Sequence, residues 1–316
     1  MGNETILKVL FLSGLSDLPA LQLPLFLFFL LIYLLTIIWN SLIISLIVTN
    51  SHLRVPMYFF LGNLASLDLC CSSVTVPKML FDLHTKKRRI TFTGCITQVF
   101  FFLFFATSEI FLLTVMSYDR YTAICKPLQY IQIMSLKVCV QLASVVWSLG
   151  FTNALVHTLF ALRLTYCEID VIESFFCDLP QLFQISCSGA YINILLIFIL
   201  GAFLGVGPLL LTFLPYVSIF KTVLKMQVKG KRSKVFSTCT SHLTVVFIFY
   251  SSVMFNYFQP SANHHSGVVK VAPVFYTAIV PLLNPLIYSL RNQEFRTAFL
   301  KKFKKTFPLQ SKNYLS

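Results

Sequence analysis

The chain has 316 residues, of which 57% are hydrophobic and only 11% charged, and its mean hydropathy is +0.79. A soluble domain of that length cannot hide so much apolar surface, so the composition excludes an ordinary globular enzyme and makes a bilayer the solvent. The net charge of +14 falls beside apolar runs, which assigns it to a cytoplasmic membrane face and an acidic partner surface and away from nucleic acid.

Seven runs are long enough to span: Leu23–Val48, Met57–Leu80, Ile96–Met116, Val138–Leu159, Ile192–Phe220, Val235–Phe258 and Val268–Leu290. Each approaches or exceeds the roughly 20 residues that cross about 30 Å of hydrocarbon. The expected fold is an all-α membrane protein, a seven-helix bundle over residues 23–290. A tail over 1–22 precedes it, and a cytoplasmic amphipathic helix and tail over 291–316 follow. Lys221, Lys225, Lys229, Lys231, Arg232 and Lys234 crowd the loop before the sixth run, and a second basic group follows the seventh. Positive-inside bias therefore predicts an outer N-terminus and an inner C-terminus. Lys86–Arg89 runs against that trend and reads as a solvated outer loop.

In chain order, Asn3-Glu4-Thr5 is an N-glycosylation acceptor on the predicted outer tail. The first run carries Asn40. The second opens at Pro56, where a missing N–H costs a helix nothing, and carries Asp68 deep in hydrocarbon. The third carries Glu109, about three helical turns above Arg120. Two carboxylates at comparable depth repel unless they share a proton or a cation, so Asn40, Asp68, Glu109 and Asn284 read as a sodium or proton site. The competing reading keeps both acids as neutral hydrogen-bonding groups.

Asp119, Arg120 and Tyr121 place an acid–base pair at the inner edge of the third run. The helical phase turns Phe102, Leu103, Ala106 and Thr107 inward in its outer half, facing Gly201 and Leu204 of the fifth run and Val253 and Tyr257 of the sixth. Thr277 closes the side. Such a cavity is apolar with a few hydroxyls and suits a small neutral molecule. Tyr250 lies deeper in the sixth run, where it would sense that molecule. Pro208 bends the fifth run, and Tyr216 near its inner end is either a partner for Arg120 or an interfacial belt tyrosine. Asn284-Pro285 kinks the seventh run, with Tyr288 a turn below. Phe295, Phe299 and Phe303 recur every four residues among lysines and arginines, as in a helix lying on a leaflet. Cys95, Cys167, Cys177 and Cys187 form an even outer set with three possible pairings. Cys70, Cys71, Cys125, Cys139 and Cys239 read as free thiols.

Several blocks together resemble the odorant receptors, a branch of the rhodopsin-like G-protein-coupled receptors. They are Pro56-Met57-Tyr58-Phe59-Phe60-Leu61-Gly62-Asn63-Leu64, Met116-Ser117-Tyr118-Asp119-Arg120-Tyr121-Thr122-Ala123-Ile124-Cys125, Lys234–Leu243 and Pro281–Asn292. The resemblance implies Cys95–Cys177 and Cys167–Cys187 bridges and a central cation pocket with no other metal. It implies a small volatile odorant as ligand and a stimulatory heterotrimeric G protein that raises cyclic AMP. It also implies the plasma membrane of olfactory sensory neuron cilia. Trp39, Ser174 and Pro215 depart from the pattern, where glycine, histidine and serine are usual. The alternatives are another rhodopsin-like receptor for a small neutral or peptide ligand, and a small transporter. A transporter predicts repeated halves, which an odd number of spans disfavours. An intramembrane enzyme is disfavoured, since no His-Glu-x-x-His is present and Asp68 with Glu109 makes a weak catalytic pair.

Overall fold

Long apolar helices stand side by side in the computed structural model, which describes residues 9–16, 18–166, 171–257, 273–291 and 297, without the side chains of 229, 231, 234, 255–257 and 289–291. The first three spans are α1 (Pro19–Thr49), α2 (Pro56–Thr85) and α3 (Phe92–Cys125). A short α4 (Tyr130–Ile133) leads into the fourth span, α5 (Leu136–Leu162). After α6 (Leu179–Gln184), the fifth span runs from α7 (Tyr191–Gly201) through a π turn, Ala202–Val206, into α8 (Gly207–Leu224). The sixth is α9 (Lys229–Tyr257). The seventh is described from residue 273, through a second π turn at Phe275–Ile279, into α10 (Val280–Arg291).

Six of these are long and apolar enough to cross a membrane, and Phe275–Tyr288 is a shorter apolar helix. The helices overshoot the apolar runs. Thirty-four residues of α3 rise about 50 Å, well past the hydrocarbon, so hydropathy marks only the middle of each helix. Local signals set the ends: Pro56 occupies the first turn of α2, and the Thr91 side chain accepts from Gly94 N–H at 3.1 Å to cap α3. The expected amphipathic helix after the seventh span, Asn3 and Cys167 lie outside the described residues.

The third span packs against α2, α5 and α8. Gly150 of α5 allows the closest approach, since a Cβ there would strike the Ser108 hydroxyl and lie 2.7 Å from the Phe104 carbonyl oxygen. Small residues at helix crossings are how membrane helices gain contact when lipid supplies no hydrophobic drive.

At the disulfide end of the bundle a three-stranded sheet forms from distant segments. β1 (Val9–Leu12) lies between β2 (Arg89–Thr91) and β3 (Val171–Ile172), antiparallel to the first and parallel to the second. Leu10 and Leu12 point into a buried cluster with Ile96, Val99 and Ile172, while Val9 and Phe11 face out, the alternation of a half-buried strand. Of Lys86–Arg89, expected to be a solvated loop, Lys86 and Lys87 are exposed as expected, whereas Arg88 and Arg89 are structural. The Arg88 guanidinium donates to the Ser13 and Ser16 carbonyls, and Arg89 lies over the Phe11 ring at 5.1 Å. Gly14 adopts a φ of +74° directly against Arg88, a conformation and a space that favour glycine.

The Cys95–Cys177 disulfide pins the loop carrying β3 to the start of α3. Gln98 reinforces it, donating to the Val74 carbonyl and accepting from Cys177 N–H, both at 2.9 Å. Cys187 is also disulfide-bonded. The five cysteines read as free thiols are free.

Candidate functional site

Three layers of functional side chains descend through the bundle from the disulfide end. The uppermost is a cavity of about 150 Å³. Phe102, Leu103, Ala106 and Thr107 of α3, Gly201 and Leu204 of the fifth span and Val253 of the sixth all line it. Thr277 does not: its hydroxyl is buried and donates back to the Pro273 carbonyl at 2.7 Å, and Tyr276 takes the place on the wall. Tyr257 lies among the side chains outside the description.

Both π turns contribute to this layer, and in each a proline follows two residues later, Pro208 and Pro281. A helical proline cannot donate to the carbonyl four residues back and its ring crowds that carbonyl. Widening the turn by one residue relieves the crowding, and such bulges gather at functional sites. Thr114 and Thr212 donate to the Pro208 carbonyl at 3.2 and 2.8 Å, and Ser117 donates to the Thr212 carbonyl at 2.7 Å. The Thr114 and Ser117 bonds tie the fifth span to α3, while the Thr212 bond satisfies the Pro208 carbonyl within the fifth span.

The fourth span supplies lining residues that sequence reasoning missed, Asn153 and His157. Asn153 Nδ2 donates to Thr107 Oγ1 at 2.9 Å. The available signal was an amide and an imidazole four residues apart, hence on one helix face, in an apolar run.

The middle layer brings together two carboxylates. Asn284 Nδ2 donates to Asp68 Oδ1 at 2.9 Å and to Glu109 Oε1 at 3.0 Å, and all three side chains are buried. Asn40 sits beside the seventh span, its amide donating to the Thr36 and Pro281 carbonyls at 3.0 Å each. Asp68 Oδ2 and Asn40 Oδ1 are buried acceptors without a partner among the described residues. Paired carboxylates with spare acceptors fit a monovalent cation or a shared proton. No group of three or more His, Cys, Asp or Glu side chains with metal-ligand geometry occurs among the described residues.

The lowest layer is the Arg120 end. Arg120 pairs with Asp119, and the Tyr130 hydroxyl donates to the other Asp119 oxygen at 2.8 Å. Burial and the neighbouring Asp119 carboxylate push the Tyr130 phenol well above its usual range, so it remains a donor at physiological pH. Tyr216 points to His242 of the sixth span, 2.8 Å from its Nδ1, while His242 Nε2 lies 3.1 Å from the Leu113 carbonyl. A neutral imidazole satisfies both if Nε2–H donates to Leu113 and Nδ1 accepts from Tyr216. Arg120, His242 and Tyr288 line a small cleft of about 40 Å³. The Tyr250 and Tyr288 hydroxyls have no partner among the described residues. Pro285 is buried within α10, and Tyr121 is half-buried with Lys126 Nζ 5.8 Å from its ring centre.

Residues 29–306 match the family model described as "Olfactory receptor". The chain is 46% identical over 301 residues to human olfactory receptor 5B12, covering 95% of this chain and 96% of the relative. It is 46% identical over 291 residues to mouse olfactory receptor 8B8, covering 92% and 94%. Against the chicken olfactory receptor-like protein COR5 it is 46% identical over 298 residues, covering 94% and 96%. The crystal structure of squid rhodopsin superposes with a TM-score of 0.67 over 92% of this chain and 87% of that one, at 21% identity, a likeness of fold.

Proposed function

The chain belongs to the olfactory receptor family of rhodopsin-like G-protein-coupled receptors, and on that premise we propose that it binds a small, mostly apolar volatile ligand in the upper cavity and activates a stimulatory heterotrimeric G protein, raising cyclic AMP. The observation that carries this reading is the cavity itself, lined by the third to the seventh spans and free of Lys, Arg, Asp and Glu among its described lining residues. In the proposed topology the disulfide end faces outward and the Arg120 end faces the cytoplasm.

A ligand against Phe249 and Val253 presses on the same helix that carries Tyr250 and His242. Displacing the foot of that helix breaks the His242 contacts with Leu113 and Tyr216, which frees Tyr216 to approach Arg120. Arg120 then leaves Asp119 for the G protein. In this reading the Asp68–Asn284–Glu109 bridge is a latch between the second, third and seventh spans. A sodium ion or a proton shared by the two acids stabilises the resting arrangement. In the same reading Asn3 is the glycosylation site and the sensory cilium is the working compartment.

The test is a cyclic-AMP screen of chemically diverse volatiles in cells expressing the chain, repeated with Ala106→Leu and normalised to surface expression. A volatile agonist whose potency falls in the variant, largest molecules first, supports the reading. Equal loss for every agonist moves the site out of this cavity. Agonists that never raise cyclic AMP remove the stimulatory coupling.

A further inference from the structure

Taking the cavity as the ligand site, we propose that its polar wall on the fourth span selects one chemical class: small alcohols and phenols, with the hydroxyl seated at Asn153 and His157. The lining is apolar on most sides. With no charged side chain among the described lining residues, a carboxylate finds no fixed cation and an amine no acid. The polar groups are unevenly spread. Thr107, Asn153 and His157 gather on one wall, and Asn153 has already committed its Nδ2 to Thr107.

What remains at that wall is unsatisfied. Asn153 Oδ1 is buried without a partner among the described residues, and His157, only 6% exposed, lines the cavity one helical turn away. The spacing of four residues sets both on one face of α5. An amide oxygen only accepts, whereas a neutral imidazole offers one donor and one acceptor. A hydroxyl complements the pair, donating its proton to one acceptor while its oxygen accepts from the imidazole N–H. An ether or ketone oxygen accepts only and leaves Asn153 Oδ1 bare. Before a ligand arrives, water can fill this role. A hydroxyl replaces water bond for bond, and an ether does not.

Size narrows the class further. A cavity of about 150 Å³ is the size that encloses benzene in an engineered protein core, so the ligand has roughly six to ten non-hydrogen atoms. Phe102, Leu204, Phe249 and Val253 supply the apolar surround for its body.

The experiment uses two matched sets: phenol, anisole and toluene; and 1-heptanol with its methyl ether, heptane and heptanoic acid. Binding is read as thermal stabilisation of the purified full-length receptor, and signalling as cyclic AMP in cells. The hydroxyl compound should lead each set in the wild type. His157→Phe and Asn153→Leu should each weaken the hydroxyl compounds by roughly three- to tenfold, the value of one hydrogen bond, and leave the ethers and hydrocarbons unchanged. His157→Gln, which keeps a donor and an acceptor, should retain much of the preference. The proposal is overturned if ethers, hydrocarbons or the acid match the hydroxyl compounds in the wild type, if the substitutions weaken all members alike, or if no member binds. Should a variant fail to reach the surface, the wild-type ranking decides. Alcohol binding without cyclic AMP would sink the signalling reading and leave the ligand class standing. Volatiles outside the class that signal while alcohols do not bind would do the reverse.

Discussion

The third and fifth spans are both 34 residues long, yet 56% of the most apolar stretch of the third is buried and only 6% of the fifth, although the fifth is the more apolar. In water that order would be reversed. In a bilayer, lipid tails solvate leucine as well as a protein core does, so apolarity reports which helix faces lipid. The third span holds Thr107, Glu109, Ser117, Asp119 and Arg120, and every layer of the site draws on it. Below its cavity-lining residues the fifth buries only a narrow stripe of α8, Pro208, Thr212, Tyr216, Ile219 and Val223, at helical spacing. Polar residues in an apolar helix therefore locate function better than hydrophobicity does.

That contrast can be broken most forcefully at Asn284 of the seventh span, which holds Glu109 at the centre of the third. Asn284→Leu removes the amide shared by Asp68 and Glu109, leaving two buried acceptors unpaired at about 1–3 kcal/mol each. Surface receptor and its thermal midpoint in detergent should both fall steeply, and an unchanged midpoint would mean the acids are held by something else. Gly150→Val comes next. Its side chain must enter the space of Ser108 and the Phe104 carbonyl, and overpacking of this kind costs about 1–3 kcal/mol, read by the same midpoint.

A smaller effect tests the seam between the two spans. Ser117→Ala deletes the bond to the Thr212 carbonyl, a contact worth on average about 0.6 kcal/mol in membranes and at most roughly 1.7. Smallest of all should be Leu214→Ala on the outward face of the fifth span, where the side chain is 62% exposed. We expect less than about 0.5 kcal/mol. If Leu214→Ala costs as much as Ser117→Ala, that face is covered by protein and the comparison fails.

The spans, the acid–base pair and the third-span wall of the cavity were legible in the sequence because each rests on local pattern: apolar length, adjacency, and a regular 3.6-residue phase. Thr277 was misplaced because no local pattern reports the π turn at Phe275–Ile279, in which Thr277 bonds back to the Pro273 carbonyl and Tyr276 lines the wall. His242 lay inside the quoted Lys234–Leu243 block, but its role depends on the Leu113 carbonyl, 129 residues away. Arg88 read as a solvated charge because its acceptors, Ser13 and Ser16, are more than seventy residues upstream. Long-range partners of single polar groups leave no periodic trace.

The sheet at the disulfide end has a consequence in time. Its central strand is the first made, and neither neighbour exists when it emerges. At the roughly 5–20 residues per second of protein synthesis, Val9–Leu12 waits about 4–16 s for Arg89–Thr91 and about 8–32 s for Val171–Ile172. The β1–β2 pair with Arg88 is the only part of the sheet that can form before the third strand is made, and it would leave an open edge on its older strand. The order of synthesis thus leaves the central strand without its neighbours longest, and an unpaired strand edge is open to pairing with other chains.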